Sequence, residues 1–173
     1  SITVIDPVMK FIGRDFTFFI PNAVILMLII VVLFWWIANK TTLGRRFFVI
    51  GGNEKVAFLS GINVKFNIFL LFIIHGAVTG VAAILWTAQL GAALPSAAPN
   101  LNFQAISAAV LGGVSLTGGK GSIVGAIVGA LLLGTLNNGM VMLDIQSFWQ
   151  DVIIGFVLIF AVTLDIIKNR KTA

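Results

Sequence analysis

Long apolar runs separated by short polar connectors set the pattern of this chain. A helix rising ~1.5 Å per residue needs about 20 apolar residues to cross a bilayer. Four runs reach or approach that length: Ile20 to Ala38, Phe66 to Leu90, Ser122 to Leu143 and Phe148 to Ile167. A fifth, Phe103 to Leu116, would make a helix of about 21 Å, short for a full crossing. The stretch between Gly91 and Asn102 carries Pro95 and Pro99 among small residues and reads as a loop. The pattern predicts an all-α integral membrane bundle of about five membrane segments, one of them short. Residues 1–173 read as a single transmembrane domain with a polar loop over 39–65.

Charge placement orients these segments. The 39–65 loop holds Lys40, Arg45, Arg46, Lys55 and Lys65 against Glu54 alone. If every run crosses, Lys120 and the tail bases Lys168, Arg170 and Lys171 fall on the same side. Lys10, Arg14, Asp6, Asp15, Asp144 and Asp151 fall on the other. An excess of bases marks the cytoplasmic side, so the C-terminus and the 39–65 loop are expected in the cytoplasm. The arrangement works only if the short fifth run brings the chain across. An external start with an odd number of crossings, and no leader before Ser1, leads us to expect a piece of a longer chain.

Composition narrows the class. Of the 173 residues 59% are hydrophobic, and the 18 glycines bring the apolar share to about 70%, against roughly 45–50% in soluble domains. Charged residues are 10%, and mean hydropathy is +1.09. These values exclude an ordinary soluble enzyme and a disordered chain. The net charge of +5 does not indicate nucleic acid as a partner, because the bases sit in short clusters beside apolar runs. With no cysteine and one histidine, a disulfide framework and a metal cluster are both absent, and no metal site is expected.

The 39–65 loop contains a second element. Asn53 can cap a short helix, Glu54 and Lys55 fall in its first turn, and Ala57, Phe58 and Leu59 follow. Gly61 can end it in a left-handed cap. A short amphipathic helix near 53–61 can lie on the membrane or dock into a groove of a soluble partner.

Other features have plain structural readings. The glycine cluster from Gly112 to Gly121 departs from a phosphate loop at Val114 and Gly121, and it reads as a tight turn between helices. Gly121, Gly125 and Gly129, and likewise Gly76 and Gly80, are spaced by four as helix-packing faces. His75, Asn137 and Asn138 are polar groups inside apolar runs. They either satisfy one another across helices or line a translocation path. Asp144, Asp151 and Asp165 lie at run ends and form no paired catalytic site, so no catalytic residue is assigned.

The loop and the glycine segments also carry a resemblance. Thr41, Gly44, Arg45, Ile50, Gly51, Gly52, Asn53, Glu54, Ala57, Ser60, Gly61, Ile62, Asn63 and Val64 fit a T-x-x-G-R-x-x-x-x-I-G-G-N-E-x-x-A-x-x-S-G-I-N-V block. Val110 to Gly121 fit V-L-G-G-x-S-L-x-G-G-x-G, and Gly129 to Gly139 fit G-A-L-x-L-G-x-L-N-N-G. In these blocks the chain resembles the permease subunits of bacterial ABC sugar importers of the ribose and xylose type, and specifically their C-terminal half. Val56 departs, standing where the family often has alanine.

The resemblance implies a multi-pass permease of the bacterial inner membrane. It implies a homodimer with a second permease copy, an ABC ATPase subunit that holds ATP and magnesium, a periplasmic sugar-binding protein, and surrounding lipid. It implies no enzyme and no cofactor on this chain. Gly52, Asn53, Glu54, Lys55, Ala57, Phe58, Leu59 and Gly61 would form the coupling helix. A passive channel is the alternative.

Overall fold

A computed structural model describes residues 2–3, 7–17, 19–94, 98 and 100–170. Asp6, Pro95, Pro99 and Lys171, and the side chains of Asp165, Lys168 and Arg170, lie outside what is described. The described residues form eight helices: α1 (Pro7–Gly13), α2 (Asn22–Lys40), α3 (Thr42–Gly52), α4 (Glu54–Leu59), α5 (Val64–Leu90), α6 (Leu101–Leu111), α7 (Ile123–Met142) and α8 (Ser147–Arg170). Two short antiparallel ladders accompany them. Strand β1 (Ile2–Thr3) pairs with β4 (Ala92–Ala93), and β2 (Phe16–Thr17) pairs with β3 (Ile20–Pro21).

By length and composition, α2, α5 and α7 can each cross a membrane, while α6 and the Ser147–Thr163 part of α8 are shorter apolar helices. Among the described residues these three long helices and two shorter apolar ones match the five segments that the sequence pattern suggests. The short segment is displaced from its predicted bounds. It begins at Leu101 and ends at Leu111, because Gly113 takes φ +85° and the chain closes a left-handed cap there. Gly113 N–H donates to the Val110 carbonyl and Val114 N–H to the Ala109 carbonyl, which satisfies two orphan acceptors of the last turn. Val114, Ser115 and Leu116 therefore belong to the following turn. At ~1.5 Å per residue α6 is about 16 Å long, roughly half of a ~30 Å hydrocarbon core.

The described residues divide into two compact units. The first comprises 1–47 and 54–98, the second 48–53 and 99–173. In the first, α1 packs across the end of α5. A β-carbon on Gly13 would lie 2.5 Å from that of Ala88 and 2.6 Å from its carbonyl carbon, so the bare glycine backbone sits directly against Ala88. Arg14 then caps α5: its Nε donates to the Gln89 carbonyl (3.1 Å) and its Nη2 to the Leu90 carbonyl (2.8 Å). A cation at the negative end of a helix is favourable in itself.

The corner between α2 and α3 is a single residue. Thr41 Oγ1 donates to the Ile37 carbonyl at the end of α2 (2.6 Å) and accepts from the Gly44 N–H in the first turn of α3 (3.3 Å). Gly44 is buried, and any β-carbon there would strike the carbonyls of Ile37 and Ala38.

In the second unit α6 packs on α7 and α8. Gly112, Gly125 and Gly129 bring α6 and α7 into backbone contact. Ser107, Ala108 and Val110 of α6, Leu133 and Met140 of α7, and Ile154 of α8 are buried. Asn100 Nδ2 donates to Asp151 Oδ2 (2.8 Å), tying the start of α6 to the first turns of α8. Many large apolar side chains of α2 and α5 face outward, Phe66, Phe69 and Phe72 among them. That is the expected arrangement where the surrounding medium is hydrocarbon or another membrane helix.

Candidate functional site

The 53–61 region holds a short helix where its sequence places one, and a second helix, absent from the sequence reading, precedes it. The chain makes two helices: α3 runs to Gly52 and α4 covers Glu54–Leu59, with Asn53 between them. The Asn53 N–H donates to the Val49 carbonyl (3.0 Å) and so closes α3. Leu43, Phe47 and Ile50 form the half-buried face of α3, and Arg45 and Arg46 are exposed. Gly61 ends α4 at φ +79°. Gly61 N–H donates to the Phe58 carbonyl (3.0 Å) and Ile62 N–H to the Ala57 carbonyl (3.1 Å), the paired bonds of a left-handed glycine cap. Ser60 Oγ donates to the Val56 carbonyl as well (2.9 Å).

This short helix is held by one small side chain. Ala57 is 0% exposed, whereas Phe58 is 69% and Leu59 83% exposed. Glu54 and Lys55 are exposed beside them. The cap at Gly61 and the packing of α4 on α5 hold the backbone, so the two apolar side chains project from a fixed support. Asn63 starts α5 by accepting the Phe66 N–H on its Oδ1 (3.1 Å). Asn67, one turn on, is 2% exposed. Its Nδ2 donates to the Asn63 carbonyl (2.7 Å), and its Oδ1 is buried with no partner among the described residues.

Gly52 belongs to a different contact. A β-carbon on Gly51 would lie 2.7 Å from the Gly119 nitrogen, one on Gly118 2.5 Å from the Gly51 oxygen, and one on Gly119 2.6 Å from the Gly52 α-carbon. The end of α3 therefore rests on the 115–120 turn with no side chain between. Gly118 and Gly119 have φ +87° and +72°. Ser115 N–H donates to the Lys120 carbonyl (3.0 Å) and Gly118 N–H to the Ser115 carbonyl (3.2 Å). The segment is a closed turn, as the sequence suggests, and its glycines serve both the turn and the contact.

The packing glycines separate into groups. Gly125 and Gly129 stand at the α6–α7 contact. Gly121 precedes α7, which starts at Ile123 with Ser122 as its cap, so Gly121 shares no helix face with them and touches Val114 instead. Gly76 and Gly80 would meet nothing within 4 Å if they carried a β-carbon. The packing expected of them is not made by the described residues.

The polar residues expected on a path also separate. His75 and Asn138 are exposed. Asn137 is half-buried, with its Oδ1 buried and unpartnered among the described residues. It lines a cavity of about 220 Å³ between α6, α7 and α8. Leu101, Leu133, Ile154, Ala105, Ala108, Ala130 and Gly134 make the apolar wall, and Gln104 of α6 is the second polar residue. Gln104 is missing from the residues picked out by sequence. An amide inside the apolar run that became α6 was the available signal. Among the described residues no group of acidic or histidine side chains could hold a metal.

Apolar helices of crossing length and backbone-tight helix contacts define a multi-pass membrane protein. Residues 1–162 match the family described as "Branched-chain amino acid transport system / permease component", and the chain belongs to that permease family. It is 41% identical over 152 residues to the xylose transport system permease protein XylH of Haemophilus influenzae, covering 88% of this chain and 40% of that one. It is 44% identical over 146 residues to the D-allose transport system permease protein AlsC of Escherichia coli, covering 84% and 45%. It is 42% identical over 161 residues to the ribose import permease protein RbsC of Bacillus subtilis, covering 93% and 49%. The chain thus spans half or less of the length of these relatives. No solved structure matches it.

Proposed function

We propose that this chain is part of the membrane permease of an ATP-driven importer of monosaccharides of the xylose, ribose and allose kind. In this reading the permease pairs with a second copy and receives its sugar from a periplasmic binding protein. Its 39–65 loop and C-terminus face the cytoplasm of a bacterial cell, and it draws motion from a separate ATPase that binds ATP and magnesium. The α4 helix is the docking element. Phe58 and Leu59 are its apolar anchors, with Glu54 and Lys55 as polar neighbours.

The observation that carries this reading is the contrast within α4: Ala57 is fully buried while Phe58 and Leu59 stand 69% and 83% exposed. Adjacent apolar side chains on a capped helix beside a polar face suit insertion into a partner's groove. The names of the related permeases support the sugar.

The test is affinity purification of the native gene product from mildly solubilised membranes. The expected result is a co-purifying ATPase that is lost on the double substitution F58D/L59D. Retention of the ATPase by that variant would remove the docking role from α4. A preparation that carries no ATPase would favour a channel.

A further inference from the structure

We infer that the last turns of α2 and the first turn of α3 form a binding site for one anionic phospholipid. Lys40, Arg45 and Arg46 hold its phosphate, and a groove along α2 holds the upper part of an acyl chain. Such a site needs only that α2 crosses the membrane, whatever sugar is carried and whichever ATPase is bound.

Depth in the bilayer places the bases. Helix α2 has the length and composition of a membrane span, and Trp35 and Trp36 lie exposed in its last turns. Tryptophan at the end of a span marks the boundary between hydrocarbon and headgroups. Lys40 stands one turn beyond Trp36, about 6 Å along the axis at ~1.5 Å per residue. That is the level of the lipid phosphates.

The corner at Thr41 keeps the arginines at the same level. Its side chain bonds both helices, and Gly44 lies against the Ile37 and Ala38 carbonyls with no room for a β-carbon. Arg45 and Arg46 follow that contact directly, so the first turn of α3 stays at the end of α2. All three bases are exposed, and their side chains make no hydrogen bond or ion pair among the described residues. No acidic residue stands between Asp15 and Glu54. Basic clusters beside the end of a span attract anionic headgroups, and each guanidinium can give a phosphate two N–H groups at once.

The groove decides the occupant. Leu28, Ile29, Val32, Leu33, Trp35 and Trp36 line an open apolar groove of about 520 Å³ on α2. It runs for about 12 Å at ~1.5 Å per residue. Ile29, Leu33, Trp36 and Lys40 succeed one another at helical spacing, so the groove and the first base share one face. All of these residues belong to the first compact unit. A soluble protein cannot enter the groove, because it lies within the span. A second copy meeting this patch about a two-fold axis would set the same bases against each other. A phospholipid carries a charged head and an apolar chain in the order the helix presents.

The experiment uses the native gene product in mild detergent, offered dioleoyl phosphatidylglycerol or dioleoyl phosphatidylcholine. Native mass spectrometry counts the lipids retained, and ATPase retention is followed in parallel. The expected result is preferential retention of phosphatidylglycerol. R45Q/R46Q should weaken that retention by about 25-fold, roughly fivefold for each base, and leave phosphatidylcholine unchanged. R45K/R46K keeps the charges and should keep most of the preference. K10Q removes a base from α1 and should keep all of it. W36A opens the groove and should lower retention of both lipids. Glycerophosphoglycerol, the headgroup without its chains, should displace neither. Equal retention of the two lipids by the unaltered protein, or an undiminished preference in R45Q/R46Q, would overturn the inference. A loss in K10Q equal to that in R45Q/R46Q would overturn it too, since net charge alone would then account for the preference. Release of the ATPase by R45Q/R46Q at unchanged lipid retention would give the bases to the protein partner instead. Displacement by glycerophosphoglycerol would remove the groove from the site.

Discussion

Gly112 and Gly125 exclude each other's side chains: a β-carbon on either would overlap the carbonyl oxygen of the other. The contact joins α6 to α7 through main chain alone, so neither residue can enlarge without moving a helix. G125A and G112A are each expected to destabilise the second unit by about 1–3 kcal/mol, the range of overpacking. G155A, where a β-carbon would meet nothing within 4 Å, is expected to be neutral or to gain up to ~1 kcal/mol from helix propensity. Thermal unfolding in detergent, followed by tryptophan fluorescence, compares the three. Equal midpoints would refute the backbone contact.

Arg14 caps a helix that begins fifty residues beyond it in the chain. R14M removes two bonds to the final carbonyls of α5 and a cation from its negative end. The expected loss is about 1 kcal/mol. It should appear as faster hydrogen exchange confined to the last turn of α5 and to α1. R14K keeps the charge without the planar fork and should lie between.

Asp144 is at φ 57° in the position that Gly61 and Gly113 occupy at their own helix ends. Its N–H donates to the Val141 carbonyl (3.0 Å), and the Ile145 N–H donates to that of Met140 (3.0 Å). Glycine takes this conformation at less cost. D144G is expected to raise stability by about 0.5–1 kcal/mol, and D144V to lower it by more than 1 kcal/mol because a β-branched residue resists positive φ. Thermal midpoints of the two variants decide it, and a lower midpoint for D144G would contradict the cap.

For α4, stability and association should separate. A57L forces three carbons into a fully enclosed position and is expected to cost about 1–3 kcal/mol. F58A, at an exposed position, should change the thermal midpoint by less than ~0.5 kcal/mol while weakening ATPase retention. A midpoint that falls equally for both would mean that Phe58 is buried in the chain's own fold.

The long helices were legible because nothing local competes with an apolar run. The pattern placed α5 at Phe66 to Leu90, and the helix covers Val64–Leu90. It placed α7 at Ser122 to Leu143, and the helix covers Ile123–Met142. It failed at α6, because hydrophobicity continues through Val114 and Leu116 while a positive φ at Gly113 has already ended the helix. The glycine periodicity overreached at Gly121 for the same reason: spacing of four has meaning only inside a helix, and α7 starts two residues later. In the 53–61 segment the start after Asn53 and the cap at Gly61 were both readable, but α3 was not, since 39–65 read as one polar loop around a single short helix. Arg14 was out of reach for another cause. Its partners lie far away in sequence, and no local pattern encodes a meeting of that kind.

The four glycines that join α3 to the 115–120 turn behave as a latch without a spring. A contact made through side chains can adjust by changing rotamers and lets one surface creep past another. Main chain on main chain has no such freedom. The two segments hold register or part altogether, so a displacement reaching Gly51 and Gly52 passes undiminished to Gly118 and Gly119, or not at all.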